Sequence, residues 1–184
     1  MGKIFQLNIK LLTIILFTIM STKTVKASKS NFITLKTSKG SIIIKTLPKI
    51  APNHVKRIKE LVSSGFYNGI IFHRVIEGFM AQTGDPLGNG TGGSGKNLKA
   101  EFSDYEYKYG TVGMARSMNP DSGDSQFFIC FDGCGHLTGQ YTVWGQVETG
   151  MEVVEKIEIG EPPSNPDQII EAFVGKKKTK YLQL

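Results

Sequence analysis

The glycine-rich segment 84–97 fits two patterns typical of phosphate-binding loops, G-x-G-x-x-G and, as far as Lys96, the Walker pattern. Asn97 stands where the Walker pattern requires the hydroxyl residue that holds magnesium. Both loops also need a helix directly after them, whose N-terminal amides and dipole bind the phosphate. Residues 97–102 show no amphipathic helical pattern. The sequence therefore argues against nucleotide binding.

Four residues of metal-binding type, His73, Cys130, Cys134 and His136, are also present. The spacing Cys-x3-Cys-x-His lacks the paired short spacing of structural zinc sites. No Ser, Cys or Asp lies in a nucleophile motif such as G-x-S-x-G. We therefore predict neither a metal, nor a cofactor, nor covalent catalysis. We expect Cys130, at the end of an apolar strand, to lie in the core. The two cysteines are too close in sequence to be assumed bonded.

Another set of residues indicates a different chemistry. The segments IFHRVIEGFMAQTGD at 71–85, MAR at 114–116, DSQFFIC at 124–130 and GQYTVWG at 139–145 follow one another along the chain. In this order they resemble the cyclophilins, a family of peptidyl-prolyl cis-trans isomerases. The resemblance extends over about 31–174, and so ordered a set of motifs is hard to reach by chance.

The resemblance implies a β-barrel fold with a substrate groove on its outside. Its catalytic residues would be Arg74 and Gln82, and its substrate-binding residues would be Phe79, Met80, Ala115, Arg116 (through its backbone), Gln126, Phe128, Leu137 and Tyr141. The apolar members would enclose a proline ring, and the two glutamines would hold the flanking peptide. The alternative for each apolar member is ordinary core packing. Met80 and Gln82, two apart on one strand, share a face, and a Gln exposed beside a Met suits a groove better than a core.

Arg74 suits rotation about a prolyl bond. Resonance gives this bond a barrier of ~18–20 kcal/mol, and no bond has to be broken to cross it. In the twisted state the imide nitrogen regains a lone pair that accepts a hydrogen bond. A guanidinium stays protonated and presents several donors in a rigid plane. We therefore expect Arg74 to act selectively in the transition state, without acid-base chemistry. His73, its neighbour, should face the opposite way and be buried.

The sequence departs from the family pattern at the rim of the predicted groove. Many cyclophilins carry Trp where this chain has His136, and His where it has Tyr141. By resemblance, the Trp position contributes to binding of the drug cyclosporin, so we expect weakened sensitivity to it. The segment 114–126 is also one residue longer than in familiar eukaryotic members.

Residues 1–27 have the order of a secretory signal peptide: lysines at 3 and 10, an apolar run over 11–20, and a polar stretch ending at Ala27. Ten residues of helix rise only ~15 Å, about half the hydrocarbon thickness of a bilayer. We therefore favour removal after Ala27 over an uncleaved membrane anchor. The mature chain would then be periplasmic or secreted, without stable membrane insertion.

Charge and composition limit the partners of the mature chain. Subtracting the four lysines of the leader from the formal net charge of +6 leaves about +2. No stripe of basic residues interleaved with aromatics is present, so nucleic-acid binding is not predicted. The basic tail 175–184 is expected to be solvated. We predict a monomer whose partners are proline-containing polypeptides.

Length and apolar content predict one domain, and the resemblance implies that it spans 31–174. A hairpin is expected over 32–47, with its second strand buried on both faces, followed by a helix from Pro52 to Gly65. Short strands are predicted at 70–75, 79–83, 111–114, 126–130, 142–147 and 169–174, with a second helix at 150–157. By resemblance the fold is mainly β, an eight-stranded antiparallel closed barrel capped by two helices.

The predicted function is isomerisation of X-Pro bonds in exported polypeptides, assisting their folding. The alternative is a proline-peptide binding module or a holdase chaperone that uses the same groove without significant turnover. The presence of Arg74, Phe79, Gln82 and Phe128 together favours the enzyme.

Overall fold

The computed structural model describes residues 30–176, so the predicted leader at 1–27 and most of the predicted tail lie outside the described residues. Two helices, α1 (Pro52–Ser63) and α2 (Met151–Val154), accompany eight strands. The strands are β1 (Phe32–Thr37), β2 (Gly40–Thr46), β3 (Arg74–Ile76), β4 (Met80–Thr83), β5 (Thr111–Met114), β6 (Phe127–Cys130), β7 (Val143–Thr149) and β8 (Ile169–Val174). Within the described part of the chain, no helix is both long and apolar enough to cross a membrane.

The predicted antiparallel eight-stranded architecture is confirmed, with the strand order β3-β4-β6-β5-β7-β2-β1-β8. The barrel is less closed than predicted, because the edge strands β3 and β8 share no continuous ladder. Isolated bridges, Ile71 to Gln168 and Val75 to Gly160, span the gap instead. The strand predicted from residue 70 begins only at Arg74. Before it, Phe72 N–H donates to the carbonyl of Asp167, which belongs to no strand, so residues 70–73 are not part of a ladder.

The hairpin of β1 and β2 is confirmed, with Thr37 opposite Gly40 and a two-residue turn between them. The prediction that β2 is buried on both faces is wrong. Ile42 and Ile44 are fully buried, whereas Ser41 and Lys45 on the other face are exposed. Ile42 and Ile44 therefore face one core, in the period of two that a half-buried strand shows.

Helix α1 matches the predicted helix, and Val55, Ile58, Leu61 and Val62 lie on its buried face. Its N-cap residue offers no side-chain hydrogen bond. The carboxylate of Glu101, distant in sequence, accepts the N–H groups of Asn53 and His54 at 3.0 Å each. Helix α2 is shorter than the predicted 150–157, and it follows Gly150, which has a φ of +101°.

Two hydrophobic clusters lie on opposite faces of the sheet, and β6 contributes to both. Phe127 and Ile129 face the inner core, where the rings of Tyr67 and Trp144 pack edge-on against Phe127. Phe128 and Cys130 face outward. The members of this outer cluster are Met80, Tyr107, Phe128, Cys130, Cys134, Leu137 and Val143, bordered by half-buried Phe79, Ala115 and Tyr141 among others. This apolar cluster on the outside of the sheet supplies part of the lining of the candidate site.

Candidate active site

A row of directly opposed residues crosses the outer face of the sheet. Arg74 on β3 lies opposite Gln82 on β4, Gln82 lies opposite Phe128 on β6, and Phe128 lies opposite Gly113 on β5. Opposed residues of neighbouring strands point to the same face. The register of three strand pairs therefore brings a guanidinium, an amide and an aromatic ring into one line, although they are far apart in sequence.

Gly113 leaves room for the aromatic floor of the site. A Cβ there would lie 2.1 Å from Tyr107 Oη and 2.6 Å from Phe128 Cζ. Without that Cβ, the rings of Tyr107 and Phe128 stack with centroids 5.8 Å apart. Burial raises the pKa of Tyr107 far above the working range, so its hydroxyl stays neutral beneath the floor.

A disulfide fixes the neighbouring wall. Cys130 ends β6 opposite Met80 and is bonded to Cys134 in a short 3-10 helix, Asp132–Leu137. The prediction that Cys130 is buried is confirmed, and the bond that the sequence left open is present. The same short helix places Leu137 in the cluster and His136 at its rim, where the imidazole stacks on Phe79 with centroids 5.6 Å apart.

These elements enclose a pocket of about 290 Å³. Its lining consists of Arg74, Phe79, Met80, Gln82, Ala115, Arg116, Phe128, His136, Leu137 and Tyr141. Every residue predicted for the site from the sequence lines this pocket except Gln126. No carboxylate is among the described residues that line it. The pocket offers an apolar floor with a guanidinium and an amide on one side, which suits a compact ring and its peptide bond.

Gln126 lines a second cavity of about 490 Å³, which shares Gln82, Ala115 and Arg116 with the first. The amide of Gln82 donates to Oε1 of Gln126 at 2.9 Å. Gln126 in turn donates to the carbonyls of Gly90 and Gly92 at 3.0 and 2.8 Å. The glycine-rich segment therefore forms a border of the groove, and no helix follows it.

Asp85 holds this glycine-rich border in shape. Its carboxylate is 1 % exposed and accepts the N–H groups of Leu87, Asn89 and Gly90 at 2.8, 3.0 and 2.6 Å. Burial alone raises the pKa of Asp85, but these hydrogen bonds, with one from Gly92, outweigh it and lower the pKa. The loop that resembled a phosphate-binding loop is thus organised by an internal anion.

Arg116 lines both cavities, and its guanidinium makes its contacts with other groups of the protein. The guanidinium lies 4.3 Å from the ring centroid of Tyr141. It donates to the carbonyls of Gln140, Ser117 and Met118. These hydrogen bonds hold the side chain within the protein, and the ligand contact that the resemblance implies for the Arg116 backbone stays a prediction.

Two sequence predictions are settled by burial. Gln82 is half-buried and Met80 is only 1 % exposed, but both line the same pocket, so the prediction that they share one face of β4 is confirmed. Met80 is covered because it packs within the outer cluster beside Cys130. His73 is buried as predicted, and desolvation lowers its pKa. Arg74 is 39 % exposed, and the opposite direction of the two side chains stays a prediction.

Sequence reasoning missed three contributors: Tyr107, Gly113 and Glu161. Tyr107 lies in a stretch without strand or helix periodicity, and Gly113 interrupts the apolar strand β5. Glu161 accepts a hydrogen bond from Arg74 Nε at 2.6 Å, although 87 residues separate them. A glycine inside an apolar strand was the one available signal, because it often marks a close approach.

The chain is similar to curated proteins and to solved structures. Two curated relatives are a "Probable peptidyl-prolyl cis-trans isomerase" of Brucella abortus, 49 % identical over 165 residues (80 % of this chain, 84 % of the relative), and a "Peptidyl-prolyl cis-trans isomerase" of Helicobacter pylori, 43 % identical over 138 residues (73 % and 84 %). A cyclophilin crystal structure from Hirschia baltica superposes with a TM-score of 0.74 at 28 % identity (84 % and 77 % of the two chains). A cyclophilin-type isomerase of Cryptosporidium parvum, crystallised in the presence of the dipeptide Ala-Pro, has a TM-score of 0.73 at 27 % identity (79 % and 99 %).

The family model "Cyclophilin type peptidyl-prolyl cis-trans isomerase/CLD" matches residues 32–174, which include all eight strands and the whole outer cluster. A pocket with an apolar floor and a guanidinium at its side is compatible with this chemistry. The chain belongs to the cyclophilin-type peptidyl-prolyl cis-trans isomerases.

Proposed function

We propose that this isomerase acts on exported polypeptides and that Arg74 is the hydrogen-bond donor that stabilises the twisted imide. The observation that carries the catalytic part is the register of β3, β4 and β6, which aligns Arg74, Gln82 and Phe128. A proline ring on Phe128 would bring its imide nitrogen toward the guanidinium.

The division of labour among the remaining residues follows from their surroundings. The buried members Met80, Phe128 and Leu137 hold the ring, and half-buried Phe79 and Tyr141 close it in. Gln82, Gln126 and the backbone at Ala115 and Arg116 bind the flanking peptide. A held ring and one charged donor are enough, because a rate gain of about 10⁶ requires only ~8 kcal/mol.

The experiment compares isomerisation of a short X-Pro peptide by the mature protein and by Arg74→Ala, Arg74→Lys and Lys45→Ala. Removing a transition-state donor costs about 100-fold or more in kcat. We expect such a loss in Arg74→Ala, with KM within about threefold. Arg74→Lys keeps the charge but not the planar fork, so it should remain impaired. Lys45→Ala removes an exposed cation from β2 and should match the wild type.

Equal turnover by Arg74→Ala and the wild type would overturn the proposed role of Arg74. Aggregation suppression is measured on the same proteins. If the wild type suppresses aggregation but gives no turnover, the groove serves as a holdase or binding module instead.

Export is supported by the leader pattern at 1–27 and by the disulfide, since disulfides persist mainly in oxidising compartments. Mass spectrometry of the N-terminus after expression in a Gram-negative host tests it. A mature chain that begins directly after Ala27 in the periplasmic or secreted fraction is expected. An intact leader on soluble cytoplasmic protein would contradict export. We also propose that the mature chain is a monomer, and light scattering tests this.

A further inference from the structure

The backbone next to Arg74 is fixed by a second chain segment that precedes β8. Val75 N–H donates to the carbonyl of Gly160 at 2.8 Å, and Gly160 N–H donates back to the carbonyl of Val75 at 3.0 Å. In this antiparallel bridge Val75 is paired with Gly160, so the next pair along it is Arg74 with Glu161. This register places the carboxylate of Glu161 directly beside the guanidinium of Arg74.

Gly160 is required for the local backbone turn of this segment. It has a φ of +153°, and a Cβ there would lie 2.5 Å from Cα of Pro163. The backbone turn that carries the bridge therefore needs glycine at this position, and Glu161 follows it directly. The pairing of Glu161 with Arg74 is a feature of the backbone course and not only of two long side chains that happen to meet.

The contact uses one particular nitrogen of the guanidinium. Nε of Arg74 donates to Oε2 of Glu161 at 2.6 Å, while Nη1 lies 3.9 Å from Sδ of Met80, inside the pocket lining. Glu161 is not part of that lining. The carboxylate thus holds the guanidinium from outside the pocket and leaves its terminal nitrogen Nη1 on the pocket side.

We propose that Glu161 is a positioning residue for catalysis, which fixes the Arg74 guanidinium in the orientation that meets the twisted imide nitrogen. This inference rests on the donor role proposed for Arg74. An arginine side chain has large rotamer freedom, and a donor that is already oriented needs no reorganisation at the moment of reaction. Because the planar ground state is not bound through this donor, the benefit appears in kcat.

Two variants of Glu161 separate its effect on the orientation of Arg74 from the effect of its charge. The two side chains are 39 % and 51 % exposed, so water and salt screen their attraction strongly. Glu161→Gln keeps an acceptor oxygen and removes the charge, whereas Glu161→Ala removes both. An orienting role predicts that Gln rescues what Ala loses, and a purely electrostatic role predicts that the two variants behave alike.

Kinetics of Glu161→Ala, Glu161→Gln and Glu158→Ala provide the first measurement. Glu158 is an exposed acid on the same segment, so its removal changes the same charge without touching Arg74. We expect Glu161→Ala to lower kcat about fivefold, which is about 1 kcal/mol, with KM within about twofold. Glu161→Gln should recover at least half of that loss, and Glu158→Ala should match the wild type.

The second measurement is the NMR signal of Arg74 Nε–H, assigned by its loss in Arg74→Lys. In the wild type this proton should exchange slowly with water, and in Glu161→Ala it should exchange at least about fivefold faster, in step with the loss of kcat. This readout does not depend on turnover. Circular dichroism and thermal unfolding show whether each variant is folded.

The inference is overturned if Glu161→Ala retains the kcat of the wild type, if Glu158→Ala loses as much, or if Gln rescues nothing. Unchanged exchange of the Nε proton in folded Glu161→Ala would also overturn it. If the wild type itself gives no turnover, or Arg74→Ala is fully active, the proposed function fails, and that result is distinct from the failure of Glu161 alone.

Discussion

The side chains of Gln82 and Gln126 are hydrogen-bonded, with Nε2 of Gln82 donating to Oε1 of Gln126 at 2.9 Å. This bond lies at the boundary between the ring pocket, which is the 290 Å³ pocket around Phe128, and the larger cavity beside it. The amide nitrogen of Gln126 donates hydrogen bonds to the carbonyls of Gly90 and Gly92. One glutamine therefore orients the other and ties the groove to the glycine-rich border.

Replacing Gln126 by Ala should weaken peptide binding more than it slows rotation. The change leaves the Gln82 amide and two loop carbonyls without their partners, and unmade hydrogen bonds of this kind cost ~1 kcal/mol each. We expect KM for a tetrapeptide substrate to rise about fivefold with kcat changed less than twofold. Gln168→Ala, an exposed glutamine outside the groove, serves as the control. A pure loss of kcat would contradict this assignment.

Replacing Gly113 by Ala should destabilise the floor of the pocket. The added methyl group meets Tyr107 Oη at 2.1 Å and Phe128 Cζ at 2.6 Å, so both stacked rings must move. Overpacking of this kind costs ~1–3 kcal/mol, and we expect that loss in the free energy of unfolding measured with urea. In the folded variant, KM should rise because Phe128 is displaced.

The control for this change is Gly135→Ala, in the short helix beside the same pocket. A Cβ at Gly135 meets nothing within 4 Å, and its φ is not positive. We expect its unfolding free energy to change by less than ~0.5 kcal/mol. Equal stability of the two variants would show that the floor is loosely packed.

Asp85 should make the stability of the protein sensitive to acid. Its pKa is lowered in the folded state, so its stabilising contribution is complete above the unfolded value of ~3.9 and is lost as the pH falls through the folded pKa. Asp85→Asn removes that contribution, and we expect a loss of ~1–3 kcal/mol at pH 7. Urea unfolding as a function of pH measures both effects.

The difference in stability between the wild type and Asp85→Asn should shrink as the pH is lowered below ~4. Asp104→Asn is the matched control, because Asp104 is exposed. A difference that stays constant from pH 7 down to acid would mean that the carboxylate's charge does not hold the glycine-rich loop.

His136 should govern the response to cyclosporin. It forms the rim of the ring pocket beside Phe79, at the position where many cyclophilins carry Trp. We expect weak inhibition of the wild type and at least about tenfold tighter inhibition of His136→Trp, since a buried Trp contributes ~2 kcal/mol or more at such contacts. His136→Ala separates the loss of the imidazole from the gain of the indole. Nanomolar inhibition of the wild type would contradict the prediction.

Helix α1 and the hairpin of β1 and β2 were predictable from sequence, because each is a local pattern. The 3.6-residue period of α1 and the turn ending at Gly40 depend on neighbours a few residues apart. The ordered motifs around Arg74 and Phe128 likewise identified the family and nearly all of the pocket lining. Residue types alone indicated a donor and an apolar floor.

Long-range registers determined the rest. The pairing of Arg74 with Glu161, the fit of Gly113 beneath Tyr107 and the partial closure between β3 and β8 depend on segments far apart in sequence. Local propensity carries no information about such pairs, because strand order and register are set by which faces are buried together. The sequence by itself determined which chemistry this protein performs, and only the tertiary structure decided how Arg74, the proposed donor, is held.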